Sequence, residues 1–302
     1  MKNRDTFSSC HPVVCFLYFG LVLAFSMCFT HPLCLGVSLC GALAYCGYLK
    51  GRRGLGRTLA WLLPMLLLAA IVNPAFSHEG ATILTYLPSG NPLTLESVCY
   101  GLAAAVIIAV VILWFSCYNE VMTSDKFVYL FGRIIPALSL VLSMTLRFVP
   151  KFTAQARAVG EAQRCIGRDT HTGTLLQRIK NGVTIISILV TWALENAVET
   201  ADSMRGRGYG LPGRTAYSIY RFDERDRLAL LWLGFCAVYI ISGWIAGGLY
   251  FRWYPTMKGV GATPFTLSFP AAYLALTLTP VFLNVRADRR WQKLQRMESY
   301  HA

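Results

Sequence analysis

The segment Glu195-Asn-Ala-Val-Glu-Thr-Ala-Asp-Ser-Met-Arg-Gly-Arg-Gly-Tyr-Gly-Leu-Pro-Gly213 gathers charge in a chain that is otherwise apolar. Read as a helix, it places Glu195, Glu199 and Asp202 at i, i+4 and i+7 on one face and Ala193, Ala197 and Ala201 on another. Gly206, Gly208, Gly210, Pro212 and Gly213 cannot prolong a helix, so the segment ends in a tip that carries Arg205 and Arg207.

Outward from this tip the chain turns greasy. Of its 302 residues 55% are apolar and 14% charged, against roughly 25% charged in a soluble domain, and the mean hydropathy is +0.48. Apolar runs of about 17 residues or more, long enough to cross a bilayer, occupy 13–29, 33–49, 58–76, 97–117, 228–250 and 266–285. Two shorter runs, 134–149 and 183–194, are bounded by Arg133, Arg147 and Lys151, and by Arg178, Lys180 and Glu195. The fold class expected is an all-α polytopic membrane protein with about six spans and long crossed helices on the cytoplasmic side.

Lys and Arg set the orientation. Two lie at the N-terminus, four in 50–57, none in 77–96, thirteen from Arg147 to Arg227 and five in 286–296. If 134–149 crossed alone, the seven basic residues from Arg147 to Lys180 would follow it outside, against the positive-inside rule. Both short runs are therefore read as parts of helices that dip toward the bilayer from the cytoplasm, with both termini cytoplasmic in the cell membrane. The division expected is 1–149 for the N-terminal spans, 150–215 for a cytoplasmic helical unit and 216–302 for a C-terminal hairpin and basic tail. A net charge of +13 spread between apolar runs fits an anionic leaflet or an acidic partner, not nucleic acid.

The remaining signals are local. Lys2 and Arg4 precede an apolar run with no small-x-small cleavage site, read as a retained first span. His11-Pro12 and His31-Pro32 open adjacent spans because proline suits a helix start. The ten cysteines include no Cys-x-x-Cys pair and read as small buried hydrophobes. Those from Cys28 to Cys46 recur every six residues, about 240° per step, and cannot make one metal face. Residues 77–97 read as an ordered outer turn, and His78-Glu79 lacks the second histidine of a zinc-protease helix.

In 150–215, a first helix over about 151–166 carries Ala154, Ala158 and Ala162 with the same spacing as Ala193, Ala197 and Ala201, two stripes that let helices cross closely. Gly208 to Thr215 is one residue from a phosphate loop, but it follows a helix and contains proline, so no nucleotide site is expected. No catalytic constellation is recognisable, the five histidines form no cluster, and neither an enzyme nor a bound cofactor or metal is expected. The stripe Glu195, Glu199, Asp202 reads as a solvated face, not a proton relay.

Glu161-Ala-Gln followed by Gly167 resembles the coupling loop of ABC importer permeases. More broadly, Asn73-Pro74, Leu146-Arg-Phe-Val-Pro150, Ala162-Gln-Arg164 with Gly167, and above all Ala201-Asp-Ser-Met-Arg-Gly-Arg-Gly-Tyr209 are similar to the T component of energy-coupling factor (ECF) transporters for vitamins and metals. That resemblance implies a non-catalytic scaffold joining two ABC ATPase subunits, which bind ATP and Mg, to a small substrate-binding S component in the bilayer. It implies that two coupling helices dock on the ATPases through Ala-Arg-Gly or a close variant. Arg207 between Gly206 and Gly208 inherits the second motif, with Arg205 beside it. The first falls at Cys165-Ile166-Gly167, where the arginine is missing and Arg164 or Arg168 is the available replacement. Arg168 stands six residues after Ala162 as Arg207 does after Ala201, and points alike if the helix persists past Gly167. The family's usual Pro-Arg-x-Lys start is reduced here to Pro12. Two other readings compete: a conventional permease that binds substrate itself needs polar residues in its spans, and a stand-alone secondary transporter needs intramembrane ionisable groups. The spans are nearly bare of charge.

Overall fold

The computed structural model describes residues 5–77, 80–86, 92–132, 135–170, 173–212, 220–261 and 263–301. In chain order the elements are α1 Pro12–Cys28, α2 Pro32–Phe76, β1 Ile83–Tyr86, β2 Pro92–Thr94, α3 Leu95–Val121, α4 Ser124–Gly132, α5 Pro136–Cys165, α6 Leu175–Gly206, α7 Glu224–Ile245, β3 Phe251–Arg252, β4 Lys258–Gly259 and α8 Pro264–His301. Two compact units result, one made of 1–123 with 220–302 and the other of 124–219. The first and last segments of the chain thus form one body, and position 150 falls inside α5, which runs unbroken across it.

Within the first unit, α2 is the element that decides the topology. Its 45 residues would span about 68 Å if straight, yet its two ends meet the same loop. The His31 ring lies 5.5 Å from that of Phe251, and Tyr254 donates to Asn73 Oδ1 at 3.3 Å. The reversal is at Gly51, whose φ of 68° is non-helical and open only to glycine without strain. α2 is therefore two antiparallel runs, and with α1, α3, α7 and α8 the unit has six that alternate between two ends. One end carries Lys50, Arg52, Arg53, Arg57, Arg225 and Arg286. It is tied together by Asp5 to Tyr45 and Asn284, Lys50 to Ser116, and Tyr48 to Asp288. The other end carries two short antiparallel ladders, β1 with β2 and β3 with β4, joined where Ala81 N–H donates to the carbonyl of Pro255 at 3.1 Å. The turn expected at 77–97 is thus a hairpin, pinned by the buried Glu96 carboxylate, which accepts from the N–H and hydroxyl of Thr82. His78 and Glu79 lie outside the described residues.

The His-Pro starts act as caps: His11 and His31 accept through Nδ1 from Val13 and Leu33, each at 3.3 Å. Behind them the core buries Tyr18, Tyr45, Trp114 and Tyr273 in edge-on and tilted ring contacts. A polar knot sits inside this apolar mass. Ser26 and Ser38 hydroxyls are 2.7 Å apart, Tyr273 OH bonds both, and Trp114 Nε1 donates to Ser38 at 3.2 Å. Each member meets another, so the knot joins α1, α2, α3 and α8 rather than presenting a substrate site. The cysteines divide: six are buried and Cys99 half-buried, but Cys28, Cys40 and Cys165 are exposed. The expectation of burial fails at these three: Cys28 and Cys165 are the last residues of α1 and α5, and Cys40 is turned about 240° around α2 from the buried Cys34.

The most extensive helix contact is between α2 and α3. A Cβ on Gly101 would sit 2.8 Å from the carbonyl oxygen of Ala70, a backbone atom that cannot swing aside. Gly101→Leu is expected to cost about 1–3 kcal/mol and lower the thermal midpoint in detergent, whereas Gly20→Ala, inside α1 with nothing within 4 Å of the added carbon, does not lower it, since alanine is the better helix former.

Among the described residues, five helices are long and apolar enough to cross a membrane: α2, α3, α6, α7 and Pro264–Lys293 of α8, with α1 one residue short of the 18 that define them. The protein is an all-α, multi-pass membrane protein.

Candidate docking site

The second unit holds the short helix α4, packed on α5, and a helical hairpin of α5 and α6. Pro136 opens α5 and the capping box Thr174 with Gln177 opens α6. The link between them is braced on the first turns of α6, where Arg178 Nε donates to the carbonyl of Thr170 and Asn181 Nδ2 to that of Asp169, both at 2.8 Å. The returning helix meets α5 again at mid-length. The rings of Phe152 and Trp192 lie 5.4 Å apart edge to face, Lys151 Nζ lies 5.3 Å from the Trp192 ring, and it donates to Asn196 Oδ1 at 2.8 Å.

These contacts correct the expected crossing face. Ala154, Ala158, Ala162, Ala197 and Ala201 are exposed, and only Ala193 is half-buried. The covered stripe of α5 is Phe152, Gln155, Ala156, Val159, Gly160 and Gln163. It starts two residues off the alanine stripe, about 200° around the helix. Two aromatic rings bury far more apolar surface than a row of methyl groups, and they set the rotation of both helices.

Both helices end in the same motif. At the end of α5, Gly167 N–H donates to the carbonyl of Arg164 at 3.0 Å and Arg168 N–H to that of Gln163 at 2.9 Å. At the end of α6, Gly208 N–H donates to Arg205 at 2.9 Å and Tyr209 N–H to Met204 at 3.0 Å. Gly167 and Gly208 have φ of 79° and 78°. These are two Schellman caps, and superposing them residue by residue pairs Arg164 with Arg205, Cys165 with Gly206, Ile166 with Arg207, Gly167 with Gly208 and Arg168 with Tyr209. The helix therefore stops at Gly167, and Arg168 does not stand where Arg207 does. The alignment by alanine offset fails, whereas Arg-x-x-Gly, present at 164–167 and 205–208, was the signal in the sequence that carried the equivalence.

The charges at the two tips differ. Arg164 and Arg205 sit in last turns, where the helix dipole favours a cation. Each has a carboxylate within reach, Asp169 at 3.7 Å and Asp202 at 3.9 Å; the Arg205–Asp202 pair is exposed on both sides and worth little, whereas Asp169 is half-buried. Arg207 is exposed and in no ion pair among the described residues. Its counterpart Ile166 is 63% exposed, an apolar side chain held out where the other tip holds a cation. From the brace at Arg178 to Arg207 is 29 residues of helix, roughly 40 Å, so the tips stand at opposite ends of the unit. Gly213, Arg214 and Thr215 of the near phosphate loop lie outside the described residues.

One more feature was missed in the sequence. Along α6, Ile179, Val183, Ile186, Val190, Leu194 and Val198 recur every three or four residues, and each is more than half exposed. A surface of this kind marks a place where lipid or a protein partner sits.

The family described as CbiQ, cobalt transport protein, matches residues 8–217. The chain belongs to the CbiQ family. Relatives named energy-coupling factor transporter transmembrane protein EcfT include those of Lactobacillus helveticus, 34% identical over 97 residues, and Lacticaseibacillus paracasei, 38% over 96 residues. These matches cover 32% of this chain in both cases, and 35% and 36% of the relatives. The EcfT of Streptococcus thermophilus is 33% identical over 114 residues, 36% of this chain and 43% of that protein. The alignments thus span between a third and under half of these relatives. The family match takes in both capped tips.

Proposed function

We propose that this CbiQ-family chain is the membrane scaffold of an ECF-type importer, passing motion from two ATP-hydrolysing subunits to a separate substrate-binding membrane protein. The observation that carries the reading is the pair of like-capped, exposed helix tips at opposite ends of one hairpin, too far apart for one groove and alike enough for two related partners. On this reading ATP and Mg belong to the partners, this chain binds no cofactor, and the cargo is a vitamin or a metal ion held by the substrate-binding subunit. The apolar stripe of α6 suits that third subunit, whose surface must itself be apolar to live in the bilayer. The basic end of the first unit faces the cytoplasm with both termini.

The tips serve unequally because Ile166 replaces the cation. Uptake by cells carrying Arg207→Ala is expected to fall furthest. Arg164→Ala and Arg168→Ala each have a smaller effect, and the double variant, which removes both cations beside Ile166, is the most damaging change at that tip while staying milder than Arg207→Ala. Measuring uptake and ATPase co-purification for the four variants decides it. A silent double variant retires the substitution idea and leaves Ile166 as an apolar plug.

Sidedness has its own test. In a cysteine-free background, Thr85→Cys on the exposed strand β1 is expected to react with an impermeant thiol reagent in whole cells, and Arg168→Cys to react only after lysis. The reverse pattern sinks the orientation.

A further inference from the structure

We infer that the groove between α7 and α8 at the basic end of the first unit is a binding site for one anionic phospholipid. The groove has a volume of about 1060 Å³ and is walled by Leu228, Trp232 and Phe282, with Arg225, Arg286 and Arg290 at one end. Leu228 is 68% and Phe282 64% exposed, so an apolar channel runs out of a cluster of three cations. None of the three arginines is in an ion pair among the described residues; Arg225 reaches only the Ser9 hydroxyl, at 3.5 Å.

Charge and apolar length together choose the occupant. A free phosphate would satisfy the arginines and leave the channel bare, and a wholly acidic protein segment would do the same. A phosphodiester joined to acyl chains matches both. Basic pockets between membrane helices on the charged side of a bilayer recognise such headgroups, and arginine presents a fork that fits phosphate oxygens. Trp232, fixed by its Nε1 donating to Thr279 at 3.2 Å, supplies an amphipathic ring of the kind found at headgroup level.

The test is to reconstitute the full chain in nanodiscs of equal phosphatidylglycerol and phosphatidylcholine, release it into mild detergent and count retained lipid by native mass spectrometry. Wild-type chain is expected to keep phosphatidylglycerol in preference to phosphatidylcholine. Substituting Arg225→Gln, Arg286→Gln and Arg290→Gln reduces retention by roughly fivefold per arginine removed. The triple variant Arg52→Gln, Arg53→Gln, Arg57→Gln, equal in charge at the same end but away from the groove, retains lipid as wild type does. Ala275→Trp, which fills the groove and leaves every arginine in place, also loses the lipid. Equal loss from both triple variants, no preference between the lipids, full retention by Ala275→Trp, or displacement of the lipid by millimolar inorganic phosphate overturns the assignment.

Discussion

Reversing the charge at one side chain, Arg207→Glu, is expected to abolish uptake and to strip an ATPase subunit from the complex while the chain still inserts in the membrane. Arg207 is the exposed cap residue of α6 and, among the described residues, is in no ion pair. Nothing inside the hairpin is lost with it. A charge pair at an interface that loses one partner costs about 2–5 kcal/mol, and reversal adds repulsion to that loss. Arg205→Glu, by contrast, exchanges an exposed cation already beside Asp202, and is expected to weaken assembly only slightly. Membrane fractionation, uptake and co-purification of each variant check this. Normal uptake by Arg207→Glu would leave the α6 tip without a role in docking.

The second large effect is expected at Trp192. Its ring is the contact that closes the hairpin, packed on Phe152 and under Lys151. Truncating a buried aromatic costs about 3–5 kcal/mol, and a half-buried ring roughly half of that. Trp192→Ala leaves both capped tips intact but frees one helix from the other. Uptake should therefore fall to background while both ATPases still co-purify, separating transmission of motion from docking. Trp192→Phe keeps a ring against Phe152 and is expected to retain most uptake. Loss of ATPase binding in Trp192→Ala would instead make the ring part of the docking surface.

Much of this arrangement was legible in the sequence, and the reasons differ by feature. Length and apolarity located the six apolar helical runs of the first unit, including the two that a single 45-residue helix joins, because Arg52, Arg53 and Gly51 interrupt the pattern between them. The tip at Arg207 was legible because glycine ends helices. The rotation of α5 against α6 was not, since periodicity marks Ala154, Ala158 and Ala162 as readily as Phe152, Ala156 and Gly160, and only ring packing decides between them. The equivalence of Arg164 with Arg205 lay in a four-residue spacing, but it takes the two hydrogen bonds of each cap to show that Gly167 ends α5 as Gly208 ends α6. The groove between α7 and α8 joins Arg225 to Arg286 and Arg290 across some sixty positions of sequence, and no local pattern announces it.

Photo-crosslinking from the two tips in native membranes bears most directly on the scaffold role. With a photoreactive residue at Ile166 in one strain and at Tyr209 in another, each position is expected to trap an ATP-binding subunit. In detergent, one chain is expected to carry two such subunits. Crosslinks from both tips to lipid alone, or from both to a single ATPase subunit per chain, would contradict it.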